Sequence, residues 1–317
     1  MAQDERTLNM DLPDAVATAA REGNAEAVRE WLAAGGAPDA IRPNGRLPLL
    51  NHACMSSRPS CASIVEILCA AGARDVGGRR LGEGSCLGFA AFHGALDTVR
   101  VLLRYGAPVN AVTLNGTTAL HQSVMVYDWN HYRDSYSIAN AQAAASLGHQ
   151  GMVRLLLKHG AAVNACTPKK NMTPLILAAK LSGFVSLGVV RELLRAGADL
   201  NIVSTKGRNA EALARRKLSN EIYTGEGIPE NPRLCRRPGA VEAFLELCAG
   251  VRAAGSWKRY VNKPRIDVIV LQRLCATGRV SPPPALARLF PTSTKSPPLP
   301  KEMVWLILKF WRSDRDP

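Results

Sequence analysis

A Gly-Ala pair recurs along the chain at Gly36-Ala37, Gly72-Ala73, Gly106-Ala107, Gly160-Ala161 and Gly197-Ala198, with spacings of 36, 34, 54 and 37 residues. Each pair follows an apolar stretch of one pattern: Ala27 to Leu32, Ser63 to Leu68, Thr98 to Leu103, Met152 to Leu157 and Val189 to Leu194. Apolar residues at helical spacing make one buried stripe, and a glycine after it suits a helix end that turns through positive φ. Self-similarity at a near-constant period points to a repeat architecture.

A second short helix is expected upstream of each stripe. It opens with Leu47-Pro48-Leu49-Leu50, Thr118-Ala119-Leu120-His121 and Thr173-Pro174-Leu175-Ile176. Thr caps a helix and Pro fits its first turn. Small residues follow, as in Ala90-Ala91 and Ala178-Ala179, and let two helices approach closely.

The Gly-Ala pairs, the Thr-Pro-Leu-like starts and the period together resemble the ankyrin repeat. Copies fall near 12–40, 44–76, 82–111, 115–165 and 171–202, with a degenerate sixth near 206–250 whose helices lie around Ala210–Lys217 and Val241–Cys248. The resemblance implies an all-α solenoid of about six helix-pair repeats over 12–250, followed by a short helical extension over 251–317. It implies a structural role for His121, bonded within and between repeats. Asn110, Asn164 and Asn201 sit in the turns after Gly-Ala pairs, where asparagine bonds its own backbone.

One copy departs from the period. The 54-residue spacing holds an insertion near 127–147 that contains Tyr127, Trp129, His131, Tyr132 and Tyr136, in a chain that is only 5% aromatic. Tyr and Trp supply large contact area at low entropic cost. These five residues are the candidate partner-binding set; the alternative is that the aromatics fold back over the adjacent helices. A second insertion near 219–238 is rich in Gly and Pro and is expected to be an irregular loop.

The net charge is +14, and residues 251–317 hold 13 basic and 4 acidic side chains, a net +9. A basic tail suits anionic lipid, nucleic acid or an acidic protein, or is a solvated face without a specific partner. No nucleic-acid module accompanies it. The tail is expected to form a helix over Ile266 to Cys275, with Leu271 and Leu274 on its inner face, then short helices over Leu286 to Phe290 and Lys301 to Trp311. Leu271-Gln-Arg-Leu-Cys275 is similar to the Leu-x-x-x-Cys core of the SOCS box, and Pro298-Leu299-Pro300 to that box's cullin-contacting part. Pro297 and Arg279 stand where that pattern has aliphatic residues. Leu299 to Met303 with Ile307, Leu308 and Phe310 also resembles the opening helix of an F-box. Either resemblance implies a ubiquitin-ligase receptor that recruits elongin or cullin, with Leu271, Cys275, Leu299 and Pro300 as docking residues. The competing reading is a helical cap on the last repeat.

The sequence has no Gly-x-Gly-x-x-Gly helix opening, Gly-Lys-Ser/Thr loop, His-Glu-x-x-His or Gly-x-Ser-x-Gly, so no enzyme, cofactor or small-molecule substrate is expected. The eight cysteines include no Cys-x-x-Cys pair; they read as small, buried, reduced core residues rather than metal ligands. The first residues lack the apolar core of a secretory signal, and the longest apolar run near the C-terminus, Met303 to Leu308, is far short of a bilayer span of about 20 residues. These features place the chain inside the cell, in the cytoplasm, with the nucleus as the alternative. The expected function is a non-catalytic scaffold that binds a protein ligand through the repeat turns and the 127–147 insertion.

Overall fold

The computed structural model describes residues 9–42, 47–56, 58–73, 85–113, 115–125, 149–180, 187–223, 239–276 and 279. The chain divides into two units, Met1–Glu246 and Leu247–Pro317. The insertion aromatics and the expected helices over 286–290 and 301–311 lie outside the described residues.

The first unit is a succession of helix pairs. They are α1 (Asp14–Glu22) with α2 (Ala25–Ala33), α3 (Leu49–Cys54) with α4 (Ser60–Ala70), and α5 (Cys86–Phe92) with α6 (Leu96–Arg104). Next come α7 (Ala119–Met125) with α8 (149–158), and α9 (Pro174–Lys180) with α10 (Leu187–Arg195). After them come α11 (Ala210–Tyr223) and α12 (Ala240–Ala254). First helices pack on first helices (α1, α3, α5, α7, α9, α11 in order), and α2, α4 and α6 pack likewise. The result is two helical layers, the architecture the repeat pattern predicts.

The local chemistry explains each element. Ser85 caps α5, its Oγ accepting from the Gly88 amide at 2.9 Å, and Thr173 caps α9, accepting from the Ile176 amide at 3.2 Å. In α6, Thr98, Val99, Val101 and Leu102 are buried while Asp97, Arg100 and Arg104 face water. Full burial of a side chain such as Leu102 contributes about 2 kcal/mol. Ala17, Ala20, Ala53, Ala90, Ala91, Ala178 and Ala179 are buried at the contacts between first helices, where a larger side chain would force the layer apart.

Four of the Gly-Ala glycines take positive φ, from +81° at Gly106 to +90° at Gly197. The first copy differs from expectation. There the left-handed residue is Gly35 (φ +87°), and a Cβ on Gly36 would overlap the Trp31 indole. The helix stop is shifted by one residue because the first copy carries two glycines, and only the second lies against the tryptophan.

One feature is added and two other expectations are corrected. A small parallel sheet pairs Asn9–Asp11 with Gly36–Ile41. Helix α11 runs through 219–223, into the stretch expected to be loop, because residues 219–223 hold no Gly or Pro. Cys166 is exposed in a turn, whereas Cys54, Cys61, Cys69, Cys86 and Cys248 are buried free thiols as expected.

In the second unit, the end of α12 turns through Gly255 (φ +78°) into α13 (Trp257–Ala276). This helix starts nine residues before the expected Ile266. Ser256 caps it, its Oγ accepting from the Arg259 amide at 3.2 Å. The Tyr260 ring lies against Gly250, where a Cβ would come within 2.5 Å of it. Among the described residues, no helix is long and apolar enough to cross a membrane.

Candidate protein-docking surface

Between helix pairs the chain projects as turns, and three consecutive ones share one plan. Thr113 and Thr117, Thr167 and Met172, and Ser204 and Arg208 close them through amide-to-carbonyl bonds of 2.9, 3.1 and 2.9 Å. Inside each, a residue with positive φ donates back to the first: Gly116 to Thr113, Asn171 to Thr167 and Gly207 to Ser204, each at 2.8 Å. The middle turn is one residue longer, and Asn171 (φ +46°) takes the place of glycine, a substitution asparagine tolerates.

The turns are tied to one another. Asn110 Oδ1 accepts from the Ala162 amide at 2.8 Å while its Nδ2 donates to the Gly160 carbonyl at 3.1 Å. Asn164 does the same one repeat later, with the Asp199 amide at 2.9 Å and the Gly197 carbonyl at 3.2 Å. For Asn110 and Asn164 this corrects the expectation that they bond their own backbone: both bridge to the next repeat. Asn171 Nδ2 donates to the Val203 carbonyl at 2.6 Å, and the Thr205 amide to the Lys170 carbonyl at 3.1 Å.

His121, fully buried, belongs to the same network. Its Nδ1 accepts from the Thr118 amide at 3.1 Å, and its Nε2 lies 3.0 Å from the Met172 carbonyl. An amide only donates and a carbonyl only accepts, so the neutral ring with its proton on Nε2 fits both. Burial lowers its pKa, against the raising effect of carbonyl bonds from Met172 and Ala165. The arrangement positions the turn and leaves no free lone pair for catalysis.

Glu192 on α10 is 5% exposed. It accepts from Arg154 Nη2 at 2.5 Å and Nε at 3.1 Å, and from Gln150 at 3.2 Å, all on α8. Burial pushes its pKa up, but the Arg154 and Gln150 bonds and the charges of Arg154 and Arg195 outweigh that and hold it below the usual value. This is a clamp between second helices. Among the described residues there is no group of three His, Cys, Asp or Glu that could hold a metal ion.

The residues singled out from sequence are placed unevenly. Tyr127, Trp129, His131, Tyr132, Tyr136, Leu299 and Pro300 lie outside the described residues. Leu271 is half-buried on α13, as is Leu274, and Cys275 lies one helical turn beyond Leu271. Ile266 and Val270 on the same helix are exposed, 50% and 48%. The inter-turn bonds were missed from sequence; the recurrence of Asn four residues after the glycine of the last three Gly-Ala pairs was the available signal.

Two family models match the chain. One, described as ankyrin repeats in many copies, covers residues 88–126, and the other, ankyrin repeats in three copies, covers 124–204. The chain is also similar to Ankyrin repeat and SOCS box protein 16 of Homo sapiens, 31% identical over 203 residues. That is 63% of this chain and 34% of the relative, so the match spans about a third of the relative's length. Residues 88–204 therefore match ankyrin repeats, the helix-pair stack is an all-α repeat solenoid, and such repeats indicate a protein-interaction scaffold.

Proposed function

We propose that the chain acts without chemistry of its own, holding a protein ligand against the repeat turns and the 127–147 insertion. The observation that carries this reading is the bonded row of turns. The Asn110, Asn164 and Asn171 bridges fix neighbouring turns relative to one another, so the surface is pre-organised and loses little entropy on binding. Tyr127, Trp129, Tyr132 and Tyr136, with His131 among them, would anchor the ligand. The test is affinity purification of the full chain beside a variant with those four aromatics replaced by Ala. Loss of the recovered partners is expected; unchanged recovery would remove the insertion from the binding surface.

A second reading is favoured by α13 and by the similarity to an ankyrin repeat and SOCS box protein. In it, the tail recruits an elongin–cullin ubiquitin ligase, and the bound ligand becomes a substrate. Leu271 and Cys275 lie one helical turn apart on α13, whose Ile266 and Val270 are exposed, and Leu299 and Pro300 would make the cullin contact. In this reading Leu271→Asp in the full chain abolishes recovery of ligase subunits and leaves the turn-bound partner in place. Recovery of the same proteins by both, with no ligase subunit in either, would make the tail a cap.

A further inference from the structure

The three bonded turns present two features that the scaffold reading does not use. The first is a row of exposed apolar side chains, one per repeat. Val112, Cys166 and Val203 each stand two residues after an asparagine that follows a Gly-Ala pair, Asn110, Asn164 and Asn201, and all three are exposed, the valines 60% and 44%. The second is charge. Lys169, Lys170 and Lys206 are exposed at the tips, with Arg208 half-buried beside them. Between residues 161 and 209 the sequence has two acidic side chains, Glu192 and Asp199. Glu192 is buried under Arg154, and Asp199 accepts from the Asn201 amide at 2.8 Å. Among the described residues, no ion pair joins the four tip cations to a carboxylate.

The strip is continuous. A Cβ on Gly116 would overlap Pro168 of the next turn, and the Lys170 carbonyl and Asn171 amide reach Thr205 and Val203 of the turn after it. Packed helices lie about 8–10 Å apart, and an extended chain advances roughly 3.3 Å per residue. A segment lying across the turns therefore meets one apolar contact about every third residue.

We infer that turns 110–118, 164–173 and 201–209 form a docking strip for an extended, acidic segment of a partner protein with apolar side chains about three residues apart. This rests on the scaffold reading and names the chemistry of its ligand. A nucleic acid is disfavoured: the three turns contain no aromatic residue on which a base could stack, and the cations are confined to two adjacent tips.

The test is fluorescence anisotropy of the full chain with a labelled Asp-Glu-Val repeat peptide long enough to cross three turns, about twelve residues. Binding is expected to weaken as salt rises and to fall about tenfold or more in the Lys170→Glu, Lys206→Glu double variant. The Val112→Ser, Val203→Ser double variant should weaken it as well. Circular dichroism melts confirm that the variants fold, since all four side chains are exposed. Equal binding by wild type and the charge-reversed variant overturns the strip. So does tighter binding of a thymidine oligonucleotide of the same net charge. If the peptide does not bind while affinity purification still recovers a turn-dependent protein partner, the strip is wrong and the scaffold stands; if both fail, both fall.

Discussion

Asn110 closes a two-bond ring with the repeat that follows it, accepting from the Ala162 amide and donating to the Gly160 carbonyl. The ring satisfies one donor and one acceptor at a helix end, where backbone groups lack intrahelical partners. Each such bond contributes about 1 kcal/mol net at an exposed site. Asn110→Ala should therefore cost about 1–2 kcal/mol in a urea melt, and Asn164→Ala a similar amount. Because neighbouring repeats are coupled, the double variant should also broaden the transition.

Glu192 and Arg154 are asymmetric partners. The carboxylate side chain is 5% exposed and the arginine 57%. Removing the carboxylate frees an arginine that can turn to water. Removing the arginine leaves a buried charge held only by Gln150 and the more distant Arg195. Arg154→Ala is thus expected to cost about 3 kcal/mol, and Glu192→Gln about 1 kcal/mol. Since the folded Glu192 pKa is depressed, its contribution is present above the unfolded pKa and lost as pH falls through the folded one. Wild type and Glu192→Gln should converge in stability on acidification, which thermal melts across pH would read.

His52 and His149 are both buried, and burial lowers each pKa to about 4, with Arg42 and Arg21 adding to the effect at His52. Between pH 6.5 and 4 the unfolded chain binds protons at these positions that the folded chain does not. Stability therefore falls with acidification across that window, by up to about 1.4 kcal/mol per pH unit for each histidine, and the loss levels off below it. His149→Gln should give a shallower slope over the same window. An unchanged slope would assign the acid sensitivity elsewhere.

The stack was legible because its signals are local and repeated. Glycine after an apolar stripe marks a helix end wherever it occurs, and α3 through α10 fall where those marks predict. What the sequence withheld depends on neighbours. Nothing local to Asn9–Asp11 says that it will pair with a segment 27 residues on, from Asn9 to Gly36. The tyrosine-rich insertion drew notice through composition, yet the described surface is built from Val112, Lys170 and Val203. Their alignment appears only once Asn110, Asn164 and Asn201 are placed in register. The asparagine bridges were hidden for the same reason: their partners are backbone groups, which every residue carries.

Gly116 and Gly207 occupy the same position in two turns, with φ of +69° and +66°. A side chain at either costs about 1–2 kcal/mol of backbone strain. Only at Gly116 would the new Cβ also overlap a neighbour, the Pro168 ring of the next turn; at Gly207 nothing lies within 4 Å. The strain is shared by both substitutions, so their difference isolates the contact between turns. Gly116→Ala is expected to destabilise more than Gly207→Ala and to weaken binding of the acidic repeat peptide, because Pro168 precedes Lys169 and Lys170 and must shift with them. Gly207→Ala should lose stability yet keep the peptide affinity within about threefold. Parallel melts and anisotropy titrations of the two variants separate backbone strain from the alignment of the turns on which the docking strip depends.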